Sequence, residues 1–248
     1  MNSGVSTVTA SLWTAPTTSL GIVVARFEED LTPWLPVGTY AYIYDKGHIL
    51  QSNDTVDHHD FRSYIELPNI GREGHTHLFH IVHNWNKLED YMIFSQAYPF
   101  DLIGSVVNST IQMVDVAFQV NPNEVNPFDQ ALYHNIDDWA RINWTDPKES
   151  IWIKKSELTS LVFAPYTPAN LWDYVLQESH PPVIRAVHGG IFAVRRETIQ
   201  SRPRQVYERA LEKFIEADAI NPEVGFMWER FWAPVFSKQY WLQEIERH

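Results

Sequence analysis

Four histidines, His75, His77, His80 and His83, fall within nine residues. Imidazoles this close raise metal ligation first. Zinc-binding helices pair histidines at i and i+4 around a carboxylate, as in His-Glu-x-x-His. Here residues 77, 80 and 83 step by three and drift around a helix, and that signature is missing. A histidine-metal hydrolase therefore ranks behind one or two histidines hydrogen-bonded within a packed helix. Two carboxylates stand out by position. Glu229 lies in the apolar run Trp228-Glu-Arg-Phe-Trp232, where burial is expected to raise its pKa and suit it to accept a proton. The alternative is a buried partner of Arg230 or of another arginine. Asp101 follows a strand end and is either a metal ligand or a helix N-cap.

The densest basic segment holds Arg195, Arg196, Arg202, Arg204 and Arg209. Residues 185–213 carry a local +4 in a chain of net charge −12. That segment either meets a phosphate, an anionic glycan or DNA, or forms a solvated helix face. The acidic total argues against a general nucleic-acid binder. Cysteine is absent. That excludes a disulfide scaffold, a Cys-ligated zinc site, an iron–sulfur cluster and thiol catalysis. There is no Gly-x-Gly-x-x-Gly, no Walker loop and no Gly-x-Ser-x-Gly elbow.

These residues need elements to hold them. Gly21 to Arg26 is a β-branched run that reads as a buried strand, followed by a short helix near Leu31 to Leu35. Thr39 to Tyr44, Ser63 to Leu67, Tyr91 to Gln96 and Gly190 to Val194 read as further strands. Gly74 to Trp85 reads as a buried helix. Pro203 to Ala217 is amphipathic, with Val206, Tyr207, Ala210, Leu211, Phe214 and Ile215 on one face. A last helix covers Val224 to Phe236. Residues 51–62 are loop-like, and 119–150 form a long excursion rich in Asn, Asp and Pro. The ten Trp are expected in the core, save one or two that could stack on a sugar. Alternating strands and helices predict an α/β fold, with a mixed, mostly parallel central sheet flanked by helices. Such open sheets bind ligands beyond the carboxyl ends of their strands. That directs attention to Arg26–Asp30, Gln96–Asp101 and the segments flanking Gly190.

The chain has 248 residues, 44% of them hydrophobic, enough for one substantial domain. Nine of residues 1–20 are Ser or Thr and none is charged. They read as a loose tail or edge segment before a single α/β domain over residues 21–248. No signal peptide and no run of about 18 apolar residues is visible, so a cytoplasmic location without a membrane span is expected.

Six ordered blocks resemble the domain of unknown function 3431 family. They are Val23-Val-Ala-Arg-Phe-Glu-Glu-Asp-Leu31 with Trp34, Tyr44-Asp-Lys-Gly47, and Asn69-Ile-Gly-Arg-Glu73 with His75, Thr76 and His80. Phe94-Ser-Gln-Ala-Tyr-Pro-Phe-Asp101, Gly189 to Ile199 with Arg202-Pro203, and Trp228-Glu-Arg-Phe-Trp232 with Phe236 complete the set. The match spans roughly residues 21–236. Two positions depart from the family pattern: Ala97 stands for its Gly and Leu102 for its His. The layout is similar to glycosyltransferases of the A-type, Rossmann-like architecture.

That resemblance implies a glycosyltransferase-like enzyme moving a sugar from a nucleotide-sugar donor to a hydroxyl on a glycan, a protein or a modified nucleobase. The alternative is a non-catalytic carbohydrate or nucleotide binder on the same fold. A UDP-sugar is the first donor to consider. Mn²⁺ or Mg²⁺ would be held at Asp101, although no Asp-x-Asp is present. Arg26, Glu29, Asp30, Arg72, Glu73, Gln96 and Arg230 would line the donor side, with guanidinium groups matching phosphate oxygens. Arg72 could instead tie Glu73 to a loop. Gly189, Gly190 and Arg195 would face the acceptor. Glu229 and Asp101 would be catalytic. Nucleic acid enters only as a possible acceptor.

Overall fold

The computed structural model describes residues 18–47 and 56–243. Residues 1–17, most of the expected tail, and residues 48–55, which include the first five of the expected 51–62 loop, lie outside the described residues. In chain order the elements are β1 (Leu20–Arg26), β2 (Ala41–Asp45), β3 (Ser63–Glu66), α1 (Arg72–His83), β4 (Tyr91–Gln96), α2 (Phe100–Ile103) and α3 (Thr110–Ala117). Then come β5 (Val125–Asn126), β6 (Tyr133–Ile136), α4 (Pro168–Leu176), β7 (Val183–Val187) and β8 (Phe192–Arg195). The chain closes with α5 (Arg196–Ile199), α6 (Arg204–Ala217), α7 (Glu223–Phe236) and β9 (Trp241–Leu242).

The central sheet has six strands in the order β3-β2-β1-β4-β8-β5. β3, β2, β1 and β4 run parallel, and β8 enters antiparallel to β4 and β5. β6, β7 and β9 form a second, antiparallel sheet. The expected mixed, mostly parallel sheet flanked by helices is the observed one. Its inner strands β1 and β4 are apolar on both faces, as parallel strands covered by helices must be. In β1, Val23 packs with α1, α6 and α7, while Ile22 and Val24 face α3 and the 3-10 helix Thr32–Tyr40. β4 divides likewise, with Met92 and Phe94 on the first side and Ile93 on the second. No helix among the described residues is long and apolar enough to cross a membrane.

α7 is apolar nearly all round and is buried along its length, as that pattern demands. Trp232 stacks on Phe236 and packs on Phe192 and Trp228. Truncating such a ring costs about 3–5 kcal/mol. α7 also buries two charged residues that tie down the excursion. Glu223 accepts from Trp144 Nε1 at 2.6 Å and from the Ala164 N–H at 2.7 Å. Arg230 is paired with Glu149 and lies between the rings of Trp144 and Trp152. The excursion thereby becomes a fixed wall rather than a loop. It carries β5 and β6, short strands whose polar sequences hide them from a hydrophobic-pattern reading. On α6 the expected face holds except at Ile215, which is 55% exposed.

Candidate functional site

Strand order reverses at β1. The chain builds outward through β2 and β3, then returns to place β4 on the other side of β1. The carboxyl ends of β1 and β4 therefore flank a crevice, where open α/β sheets bind ligands. Two adjoining chambers occupy it. One, of about 240 Å³, is lined by Arg26, Phe27, Glu29, Lys46, Asn69 and Ile220 among others. The second, of about 140 Å³, is lined by Asp101, Leu102, Trp152, His188, Gly189 and Glu229 among others. Arg72, Glu73 and Gln96 belong to both and form the shared wall.

The first chamber is framed by backbone turns. Arg26 ends β1 and is paired with Asp45 at 2.5 Å, and its Nε donates to the Glu29 carbonyl at 2.9 Å. The Glu29 carboxylate closes the turn by accepting from the Phe27 N–H at 2.7 Å. Lys46 follows β2 and is buried. Its ammonium donates to the carbonyl of Ile70 at 2.6 Å and to that of Arg72. Burial drives its pKa down to about 7, with Glu73 pulling the other way. Lys46 thus fixes the turn that starts α1. That turn is strained: Gly71 has φ +65° and Arg72 φ +51°. A side chain at 71 would strike Phe214 of α6 at 2.4 Å. Strain held by surrounding structure clusters at ligand sites.

Arg72 projects from this turn. Its Nη1 lies 3.2 Å from Glu157 and its Nε 3.7 Å from Glu73, and its guanidinium covers the Phe226 ring at 4.9 Å. Burial works against its charge, but Glu73, Glu229 and Glu157 together hold its pKa above the ordinary value. The Glu73 carboxyl is pushed up, by burial first and by Glu229, against the pull of Arg72. Gln96 ends β4 and donates to Asp101 Oδ1 at 3.2 Å. Asp101 is no N-cap; Pro99 holds that position.

Glu229 reaches the second chamber from α7. Its Oε1 accepts from the Gly189 N–H and lies 3.1 Å from His188 Nδ1. Burial pushes its pKa up, but His188, the Gly189 N–H and the Arg72 charge outweigh burial and hold it below the usual carboxylate range. The expected rise is thus reversed, because the donors facing the carboxylate stabilise its charge more than burial penalises it.

Arg26, Glu29, Arg72, Glu73, Gln96, Asp101, Gly189 and Glu229 all line this trough. Gly190 abuts Glu73 from behind, where an added Cβ would sit 3.1 Å from Cγ. Three further predicted residues do not line it either. Asp30 accepts from the Thr32 N–H and hydroxyl, which shapes a turn outside the chambers. Arg230 is 1% exposed and committed to Glu149. Arg195 pairs in register with Tyr91 at the amino end of β4, because β8 runs antiparallel. The rest of the basic segment is spent on partners: Arg196 on Asp90, Arg202 on Glu178, Arg204 on Glu208, and Arg209 on the Val175 carbonyl.

The histidines likewise stay apart. His77 sits among Phe94, Phe192 and Trp232, and His80 Nδ1 lies 2.9 Å from the Tyr44 hydroxyl. Burial takes His75, His77 and His80 each down to about 3, so they are neutral. No three metal-ligating side chains converge among the described residues. Sequence reasoning missed Lys46, Asn69, Trp152, Glu157 and His188. Lys46 had a signal, as the residue after a strand's carboxyl end. His188 lay in a segment flanking Gly190, but it was not singled out because β7, which delivers it, was not recognised.

The chain belongs to the family described as "Protein of unknown function (DUF3431)", whose model matches residues 22–247. No curated protein matches the chain, and no solved structure does.

Proposed function

We propose that this protein transfers a sugar from a nucleotide-sugar donor to a hydroxyl acceptor. The observation that carries the reading is the two-chambered trough with Arg72 on the shared wall. A nucleotide sugar has the same plan: a base and ribose, a diphosphate, then a sugar. Phe27 and Ile220, 46% and 63% exposed, offer apolar surface for a base at the first chamber. Arg72 and Lys46 supply positive charge where the diphosphate would lie, and stabilising a leaving diphosphate is the main electrostatic demand of the reaction. Trp152, His188 and Glu229 surround the space left for the sugar and the attacking hydroxyl.

A hard cation that enters on a diphosphate needs only one or two protein carboxylates. Asp101 is the residue that would hold it, and the ion would neutralise the leaving phosphates. Without it that demand falls on Arg72 and Lys46.

Calorimetry with a panel of nucleotide sugars, UDP-sugars first, with and without Mn²⁺, tests the reading, followed by assay of donor hydrolysis. Heat of binding and slow hydrolysis of at least one donor are expected. No heat and no hydrolysis with any donor would sink it. Binding without turnover, unchanged in Glu229→Gln, would instead identify a non-catalytic binder.

A further inference from the structure

We infer that His188 Nε2 is the atom that takes the acceptor proton, and that Glu229 is a positioning residue holding the imidazole from its Nδ1 side. This rests on the transfer reading above and deepens it.

The geometry separates the two roles. Glu229 Oε1 accepts from the Gly189 N–H and lies 3.1 Å from His188 Nδ1, a buried nitrogen that makes no hydrogen bond elsewhere. The carboxylate side chain is 8% exposed and the imidazole 20%, so the ring is the member open to the chamber. The ring is also braced. Trp152 meets it edge-on at 5.1 Å, His134 lies 6.3 Å off, and the His188 N–H donates to the Leu132 carbonyl at 2.9 Å.

His188 directly follows β7. Gly189 and Gly190, at φ +93° and +61°, then turn the chain into β8. A Cβ at 189 would meet Leu102 at 2.8 Å, so this turn is wedged against α2 and α1. A carboxylate held below its usual pKa is a weak proton acceptor but a good stabiliser of an adjacent imidazolium. The other charged groups lining the chamber are Arg72 and Glu73 from α1, Asp101 from α2, and Lys154 and Glu157 from the segment after the excursion, while His134 of β6 lies beside the His188 ring.

The step balances as a single displacement. The acceptor O–H bond breaks and its proton goes to Nε2. The acceptor oxygen bonds to the anomeric carbon. The bond from that carbon to the diphosphate oxygen breaks, and its electron pair leaves with the diphosphate. Glu229 stabilises the imidazolium, which then loses its proton to water. The product anomer is inverted.

Two measurements on the full chain test this. The first is ¹⁵N NMR of the imidazoles, with His188 assigned by its loss in H188Q. The neutral ring is expected to carry its proton on Nδ1 in the wild type and to lose that preference in E229Q. A proton on Nε2 in the wild type, or a tautomer unchanged in E229Q, would overturn the pairing. The second is turnover of UDP-glucose and the remaining donor panel. H188Q is expected to lower turnover by about 10²–10⁴-fold, to alter the acidic limb of the kcat/KM profile, and to leave donor binding by calorimetry unchanged. E229Q together with H188Q should be no slower than H188Q alone, because the pair acts as a unit. If H188Q matches an active wild type while E229Q does not, Glu229 takes the proton itself and the inference fails, with the transfer reading intact. If the wild type turns over no donor, the transfer reading and this step fall together, and the NMR still decides whether the pair exists.

Discussion

Two sets of charged residues in this chain have opposite fates. Arg195, Arg196, Arg202, Arg204 and Arg209 are crowded in sequence, yet each is tied to a different partner away from the trough. Lys46, Arg72, Asp101, His188 and Glu229 are scattered across most of the chain, yet they line one trough. Charge density along a chain reports what solvent and local partners must absorb. A site instead needs charges that face each other, and strand ends converging at a sheet edge provide that. The same contrast runs within α7, where Glu229 serves the trough and its neighbour Arg230 serves the scaffold.

The sharpest way to break this contrast is to exchange a trough residue for one of the crowded arginines. Glu229→Gln should lower donor turnover by about 10²–10⁴-fold, the usual range for losing acid–base assistance. Arg204→Ala should leave turnover unchanged. Equal losses in a steady-state assay would erase the distinction.

The scaffold half of α7 should show in stability. Arg230→Ala leaves Glu149 buried without its partner and should cost about 3–5 kcal/mol in urea unfolding. Replacing both residues by apolar ones of similar volume should recover most of that loss.

Arg72→Ala should weaken nucleotide-sugar binding by about 1.5–3 kcal/mol by calorimetry, the range for hydrogen bonds to charged groups. Lys46 gives the trough a pH dependence. Its charge is present below about 7 and is lost as pH rises through that value. Affinity for a nucleotide sugar should therefore fall as pH rises through about 7, and Lys46→Met should flatten the profile. Stability carries the opposite sign. The unfolded lysine keeps its proton up to its ordinary value of 10.5, so this group makes the folded state gain stability as pH rises from about 7 toward that value. Chemical denaturation of Lys46→Met across that window should lack the gain. At the small end, Arg195→Ala and Arg204→Ala should each change stability by at most about 1 kcal/mol, as exposed pairs do.

Much of the fold was legible because its signals are local. β4 was read at Tyr91–Gln96, and β1, β2, β3 and β8 were read within about two residues of their bounds, because apolar runs between turn residues report burial on both faces. α6 was legible from its periodicity, and α7 was read within one residue of its start. β5, β6 and β7 were not. β5 and β6 are short and polar, and their strand character comes from partners such as Val187 and Val194 that lie far along the chain.

The sequence by itself determined the family, the mixed sheet and the prominence of Glu229 as a carboxylate in an apolar run. It also held one decision left unread: residues adjacent on a helix do not face each other, so Glu229 could not be the partner of Arg230. Only the tertiary structure decided who those partners are. It set His188 and the Gly189 N–H against Glu229 and so lowered a pKa that burial alone would have raised. It also sent Arg195 to the amino end of β4, opposite the trough, by running β8 antiparallel. Burial propensity is written residue by residue. The sign of a charge shift and the direction of a strand depend on groups brought together from distant parts of the chain.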